Sequence, residues 1–92
     1  MDRVIILIEE LKTFITVVDK KSFTKAANTI NISQPSVSLH IKLLEKKFNT
    51  RLIERSNKQR NILITQTGEI LYKKAKQIIS LIDDTKDELD NY

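Results

Sequence analysis

The chain contains no cysteine, which excludes both a disulfide framework and a zinc site built on thiolate ligands. Its single glycine excludes a glycine-rich loop for nucleotide phosphates. One glycine and one proline in 92 residues also leave little room for long, turn-rich loops. Isoleucine, lysine and leucine are the most abundant residues instead, and lysine and leucine favour helices. The composition therefore predicts one mainly α-helical unit.

Long hydrophobic runs are absent as well. The apolar run from Val4 to Ile8 meets Glu9 and Glu10 after five residues. Such a run is too short for the core of a signal peptide and far too short to cross a bilayer. We therefore expect a cytoplasmic protein with no membrane partner.

Residue patterns for catalysis or metal binding are also missing. No pair of carboxylates falls on an apolar face, where burial would raise their pKa values. His40 is the only histidine, and the chain offers no cysteine to complete a metal site with it. The acidic run "LIDDTKDELD" lacks the glycine and glutamate placement of a calcium loop. We expect a protein that is not an enzyme and holds no cofactor or metal.

The positive charge is concentrated in one part of the chain. Residues 1–64 contain 12 Lys/Arg and 6 Asp/Glu, which gives a net charge of +6. Residues 65–92 contain 4 Lys/Arg and 6 Asp/Glu, which gives a net charge of −2. A basic body attracts polyanions and an acidic tail avoids them. This asymmetry is compatible with nucleic acid as a partner, although a solvated basic surface has the same composition.

Apolar residues at steps of three and four predict two helices before residue 31. The first spans about residues 4–19, with an inward stripe formed by Ile8, Leu11, Phe14, Ile15 and Val18. Ser22 is a suitable N-cap for a second, short helix. Its inward residues are Phe23, Ala26, Ala27 and Ile30. Asn31 can adopt the left-handed conformation of a tight turn after it.

A third helix over residues 33–48 follows within three or four residues, which is the helix-turn-helix arrangement. Ser33 is its expected cap, and Pro35 falls in the first turn, where no N–H is needed. The inward seam is Val37, Ile41, Leu44 and Phe48, and the outward face is Pro35, Leu39, Lys42 and Lys46, flanked by Ser38. This outward face begins small and polar and ends basic, as suits a DNA major groove.

Two short apolar stretches, "LIE" and "ILI", flank the basic segment "RSNKQRN". They predict a two-stranded β-hairpin with a charged tip, a wing at about residues 51–64. Thr65 then caps a fourth helix, and Gly68 in its first turn permits close packing.

The fourth helix is long for so small a body. Its apolar residues recur at steps of three, four and seven, and in a monomer they would be exposed to water. We therefore predict that residues 65–92 form a linker helix that pairs with a second copy of the chain. The predicted dimerisation residues are Ile70, Leu71, Ile78, Ile79, Leu81, Ile82 and Leu89.

Residues 11 to about 76 resemble the N-terminal DNA-binding domain of LysR-type transcriptional regulators. The matching motifs are "SFTKAA", "ISQPSVS..IK.LE", "L.ER" and "T.TGE", in the family's order and spacing. The resemblance implies a winged helix-turn-helix over residues 1–64, with the helix-turn-helix at residues 23–42, followed by the linker helix. It also implies double-stranded DNA as the partner of a homodimer. A small-molecule effector would act only through a larger domain that is absent from this chain, so we expect a fragment of a longer regulator.

The resemblance also assigns roles to individual residues. It places Gln34, Pro35, Ser36 and Ser38 in the major groove, and Ser22, Thr24 and Lys25 at the DNA backbone. It places Arg55, Lys58, Gln59 and Arg60 in the wing, at the minor groove or backbone. Lys42 is expected at phosphate. Leu39 departs from the family, because many members carry a basic or polar residue at this position. A leucine suits contact with a thymine methyl group better than a charged contact with a base or a phosphate. Asn49 replaces a common glycine but tolerates positive φ.

Two alternatives remain open at this stage. The chain could be a helical protein-interaction module that dimerises through its last helix, although a basic wing has no purpose in such a module. It could also be a winged-helix regulator of another family. Its third helix would then have the same role in DNA recognition, but the two subunits would pair in a different way.

Overall fold

A computed structural model describes residues 2–55 and 62–92 of the chain. Within these residues, helices α1 (Asp2–Lys20), α2 (Phe23–Ile30) and α3 (Gln34–Phe48) are followed by strands β1 (Ile53–Arg55) and β2 (Ile62–Ile64) and by helix α4 (Gln66–Asp90). The strands pair antiparallel, with Ile53 opposite Ile64. The fold is the predicted one: a winged helix-turn-helix followed by a long helix.

Side-chain caps begin three of the helices, as predicted. Each cap oxygen accepts a hydrogen bond from the backbone N–H three residues further on: Ser22 from Lys25 at 3.1 Å, Ser33 from Ser36 at 3.2 Å and Thr65 from Gly68 at 2.9 Å. Asn31 and Asn49 are the C-caps of helices α2 and α3. Their φ values of 64° and 51° correspond to the left-handed backbone conformation. Local sequence therefore sets where these helices begin and end.

The core lies where α1, α2 and α3 meet, and β1 and α4 close it. Its buried apolar residues are Leu11, Phe14, Val17, Phe23, Ala26, Ala27, Val37, Ile41, Leu44, Leu52, Ile53 and Ala75. On α1 the buried stripe is rotated slightly from the predicted one. Val17 is fully buried, whereas Ile8 and Val18 are only half-buried.

Phe48 does not belong to the core, and the prediction that it completes the inward seam of α3 is wrong. Its side chain is 47% exposed, although Val37 and Leu44 on the same stripe are fully buried. Phe48 is the last residue of α3. Position around a helix decides burial only where a neighbouring element also extends that far along the axis.

Gly68 permits the close approach predicted for it. A Cβ atom at this position would lie 2.3 Å from the carbonyl oxygen of Leu52 and 2.8 Å from Cγ1 of Ile64. The first turn of α4 thus packs directly on the backbone at the base of the wing. Any other residue would force the wing and α4 apart.

Helix α4 extends beyond the rest of the molecule. At 25 residues it is about 38 Å long, from a rise of 1.5 Å per residue. The principal dimensions of the molecule are 53 × 26 × 22 Å, so one direction is about twice the others. Every residue from position 80 onward is exposed. The basic body and the acidic helix end are therefore separated in space.

Tyr72 joins α4 to the C-terminal end of α1. Its hydroxyl donates a short hydrogen bond to the carboxylate of Asp19. This hydrogen bond, with a smaller contribution from burial, raises the pKa of Tyr72 above its ordinary value of 10.0. The contact fixes the start of α4 against the body.

Candidate nucleic-acid interface

The helix-turn-helix consists of α2, the turn formed by Asn31, Ile32 and Ser33, and α3. The backbone N–H of Ile32 donates to the carbonyl of Ala27 at 3.1 Å, which closes the turn against α2. The Ile32 side chain packs on the core beneath. Because the inner face of α3 is buried on α1 and α2, its opposite face must point away from the body.

The N-terminal end of α3 presents the small polar residues expected there. Gln34 and Pro35 are exposed, and Ser36 and Ser38 are half-buried. The hydroxyl of Ser36 lies 2.8 Å from the hydroxyl of Ser33, so the cap already uses part of its hydrogen-bonding capacity. Gln34 is thus an exposed residue at this end whose side chain offers both a donor and an acceptor.

The middle and end of α3 place Leu39, Lys42 and Lys46 on the outward face, where all three are exposed. Leu39 is 52% exposed, whereas its neighbour Ile41 on the inner face is 3% exposed. The outward face is therefore polar, then apolar, then basic along its length.

The start of α2 lies beside this face. Thr24 and Lys25 are exposed, and Ser22 is half-buried. The Ser22 oxygen accepts the capping hydrogen bond from Lys25, which leaves its own hydroxyl hydrogen to donate. Contacts of these three residues with a DNA backbone remain predictions.

The wing is described at its base only. Arg55 is the last residue of β1. Its side chain, together with Lys58, Gln59 and Arg60, lies outside the described residues. The predicted contacts of these four residues with DNA therefore stay predictions.

Arg51 is an exposed cation at the interface that was not predicted. It lies between α3 and β1, and its carbonyl accepts hydrogen bonds from the hydroxyls of Thr65 at 2.6 Å and Thr67 at 2.9 Å. Its side chain and Lys42 both line two clefts of about 420 Å³ each, and Lys46 lines the second. Arg51 could have been identified from the sequence, because it is a basic residue between the recognition helix and the wing.

Glu45 lines the same two clefts, but its charge is already engaged. Its Oε2 atom accepts hydrogen bonds from the backbone N–H groups of Leu52 at 2.7 Å and Ile53 at 3.3 Å. The carboxylate thereby holds the start of β1 against α3. The accessible charge in the clefts is that of Lys42, Lys46 and Arg51.

Two polar contacts with α1 hold α3 in place. Glu10 is fully buried, and Nζ of Lys47 donates to both of its carboxylate oxygens, at 2.8 and 2.9 Å. The Thr13 hydroxyl donates to the carbonyl of Glu9 at 3.0 Å and lies 2.8 Å from Nδ1 of His40. The Thr13 hydroxyl thus joins α1 to His40 on the recognition helix.

The predicted dimerisation residues of α4 divide into two groups. Leu71 is half-buried and packs on the core, and Ile79 is half-buried. Five others are exposed: Ile70, Ile78, Leu81, Ile82 and Leu89. Leu81 is 68% exposed in the single chain. The helix thus carries an apolar surface that the body does not cover.

Within residues 2–55 and 62–92, no group of three or more His, Cys, Asp or Glu side chains could hold a metal ion. Among the helices described, none combines the length and the apolar character needed to span a bilayer.

Comparisons with known proteins agree on one family. The family model described as bacterial regulatory helix-turn-helix protein, lysR family, matches residues 8–69. The HTH-type transcriptional regulator CysL of Bacillus subtilis (strain 168) is 57% identical over 79 residues, which are 86% of this chain and 26% of CysL. The chain thus spans about a quarter of the length of the curated relatives it matches.

Two solved structures with DNA have the same fold. The BenM_DBD/catB site 1 DNA complex matches with a TM-score of 0.85 and 32% identity, covering 91% of each chain. The CbnR_DBD-DNA complex also matches with a TM-score of 0.85, at 28% identity, covering 91% of this chain and 94% of that one. Both of these neighbours are complexes with DNA.

Proposed function

This chain belongs to the lysR family of bacterial regulatory helix-turn-helix proteins, and we propose that it binds specific sites on double-stranded DNA as a dimer. The N-terminal half of α3 enters the major groove, and the basic wing lies at the minor groove or the backbone. The observation that supports this most is the outward face of α3, with Gln34 exposed at one end and Lys42 and Lys46 at the other.

Gln34 is the proposed base reader. Its carboxamide offers a donor and an acceptor, which match N7 and N6 of adenine in a bidentate contact. Ser36 and Ser38 lie beside it, with hydroxyls that donate to bases or phosphates. The small side chains of this end allow the helix to approach the base edges closely.

Phosphate contacts fix the register of the protein on the duplex without reading sequence. We assign this task to Lys42, Lys46 and Arg51. We also assign it to Ser22, Thr24 and Lys25 at the start of α2. The net charge of +6 on residues 1–64 favours such a footprint.

Pairing of two copies through the exposed apolar surface of α4 presents two recognition helices to one duplex. Successive major grooves on one face of B-DNA are roughly 34 Å apart, which sets the expected half-site spacing. We propose that a small-molecule effector, where one exists, acts through a separate domain. A protein that binds DNA in this way acts where the DNA is, and we propose a cytoplasmic location for it.

Selection of duplexes from a random pool tests the proposal. The chain should enrich one sequence that contains two related half-sites about one helical turn apart. Enrichment of no sequence, or of single-stranded molecules only, would contradict it.

One observation favours a second candidate function. The uncovered apolar surface of α4 also fits a helical module whose task is to bind another protein. A duplex mobility-shift assay beside a sizing column separates the two functions. Dimerisation without any affinity for duplex at low salt would support the interaction module and contradict DNA binding.

A further inference from the structure

Leu39 occupies an unusual place for an exposed leucine. It lies in the middle of the outward face of α3, and on a helix its nearest neighbours along that face are Pro35, four residues before it, and Lys42, three residues after it. All three side chains are exposed. A single exposed leucine on a protein surface means little, but this one stands at the centre of the surface that faces the bases under the proposed function.

The surroundings of Leu39 leave its apolar surface free for a ligand. Leu39 forms one edge of a cleft of about 420 Å³, and Lys42 and Arg51 supply the basic side chains of that cleft. Its side chain is 52% exposed, while the core side chains of α3 are nearly or fully buried. The fold therefore gains little from a leucine at this position.

The chemistry of the major groove restricts what a leucine can contact favourably. Base edges in that groove carry hydrogen-bond donors and acceptors, which an aliphatic side chain cannot satisfy. The apolar group displayed there is the C5-methyl group of thymine. A leucine placed over any other base would bury polar edges without a partner, which costs free energy.

We infer that Leu39 is a specificity-determining residue that selects a pyrimidine carrying a C5-methyl group at one position of each half-site. This inference rests on the proposed function and names the chemistry that one residue of it reads. The group recognised is the methyl and not the base as a whole. A 5-methylcytosine·guanine pair at the same step therefore satisfies Leu39 in the same way as thymine·adenine.

The test uses the full chain and a duplex enriched from the random pool. Each thymine is replaced in turn by uracil, which removes the methyl group and leaves every hydrogen-bonding atom in place. Dissociation constants are measured for the unchanged protein, for Leu39→Ala, and for Ile5→Ala, whose aliphatic side chain on α1 is 53% exposed and lies outside α3 and the wing. Thermal unfolding of the three proteins confirms that the fold is intact.

We expect uracil at one thymine of each half-site to weaken binding of the unchanged protein about four-fold, the value of one buried methyl group. Leu39→Ala should lose this sensitivity, and Ile5→Ala should retain it. Replacing that thymine·adenine pair by cytosine·guanine should weaken binding. Replacing the cytosine by 5-methylcytosine should then strengthen binding about four-fold for the unchanged protein, but not for Leu39→Ala.

Two results overturn the inference while leaving DNA binding intact: uracil weakens the unchanged protein at no position, or Leu39→Ala keeps the full uracil sensitivity. Failure to enrich any duplex overturns both the inference and the proposed function.

Discussion

At the scale of single residues, Gly68 shows how one missing side chain fixes a junction. Its Cα faces the carbonyl of Leu52, with no room for a methyl group. Gly68→Ala should lower the free energy of unfolding by about 2 kcal/mol, because the overpacking cost exceeds the gain in helix propensity. Urea unfolding measures the change, and Gln66→Ala, exposed in the same turn, is the control. Equal stability of both variants would show that the junction relaxes.

The exposed side chain of Arg51 allows a prediction about the salt dependence of DNA binding. If its side chain contacts phosphate, Arg51→Gln should weaken binding to every duplex and reduce the slope of log K against log salt concentration by about 1. Lys86→Gln, which removes the same charge from the exposed end of α4, should leave the slope unchanged. A change in base preference with an unchanged slope would show that Arg51 reads sequence instead.

Among the elements, α1 orients the recognition helix through buried polar contacts. Lys47→Ala leaves the Glu10 carboxylate buried without its partner. We expect a loss of about 2 kcal/mol in the free energy of unfolding, below the full cost of a broken buried pair because the Lys47 side chain is 40% exposed. Chemical denaturation measures it.

Removal of both charges supplies the control for that prediction. Glu10→Leu combined with Lys47→Ala should recover most of the lost stability, since no buried charge remains. Lys46→Ala, its exposed neighbour on α3, should be within about 0.5 kcal/mol of the unchanged protein. If Lys47→Ala behaves like Lys46→Ala, the carboxylate of Glu10 finds another partner.

The elements also show what sequence can and cannot predict. Caps such as Ser33 and Thr65 act within three residues, so the sequence predicts these helix starts correctly. The Glu10–Lys47 pair joins positions 37 residues apart, and no local pattern indicates it. The exposure of Phe48 and the position of Arg51 at the interface were not predicted for a related reason. Both depend on how far α1 and the wing extend around the end of α3, and hydrophobic periodicity does not indicate this.

At the scale of the whole molecule, the exposed apolar surface of α4 predicts the assembly state. Leu81→Glu places a charge in that surface and should shift the chain toward monomer in sedimentation velocity. Because binding to two half-sites depends on linked subunits, the same variant should lose affinity for the full site more than for a single half-site.

Ser80→Glu adds the same charge on the opposite side of α4, where residues are polar and exposed. It should remain dimeric and bind the full site normally. Dissociation of both variants to the same extent would indicate a general charge effect in the acidic end of the helix. No dissociation of Leu81→Glu would contradict pairing through this surface.

Under the proposed function, the exposed N-terminal end of α3 reads DNA sequence. The most direct measurement is the ratio of dissociation constants for a selected duplex and a scrambled duplex, with the unchanged protein and with Gln34→Ala. We expect Gln34→Ala to reduce this ratio by about 5- to 150-fold, equivalent to 1–3 kcal/mol, mainly by weakening the selected duplex. Equal weakening of both duplexes would contradict it, because Gln34 would then contact only the DNA backbone.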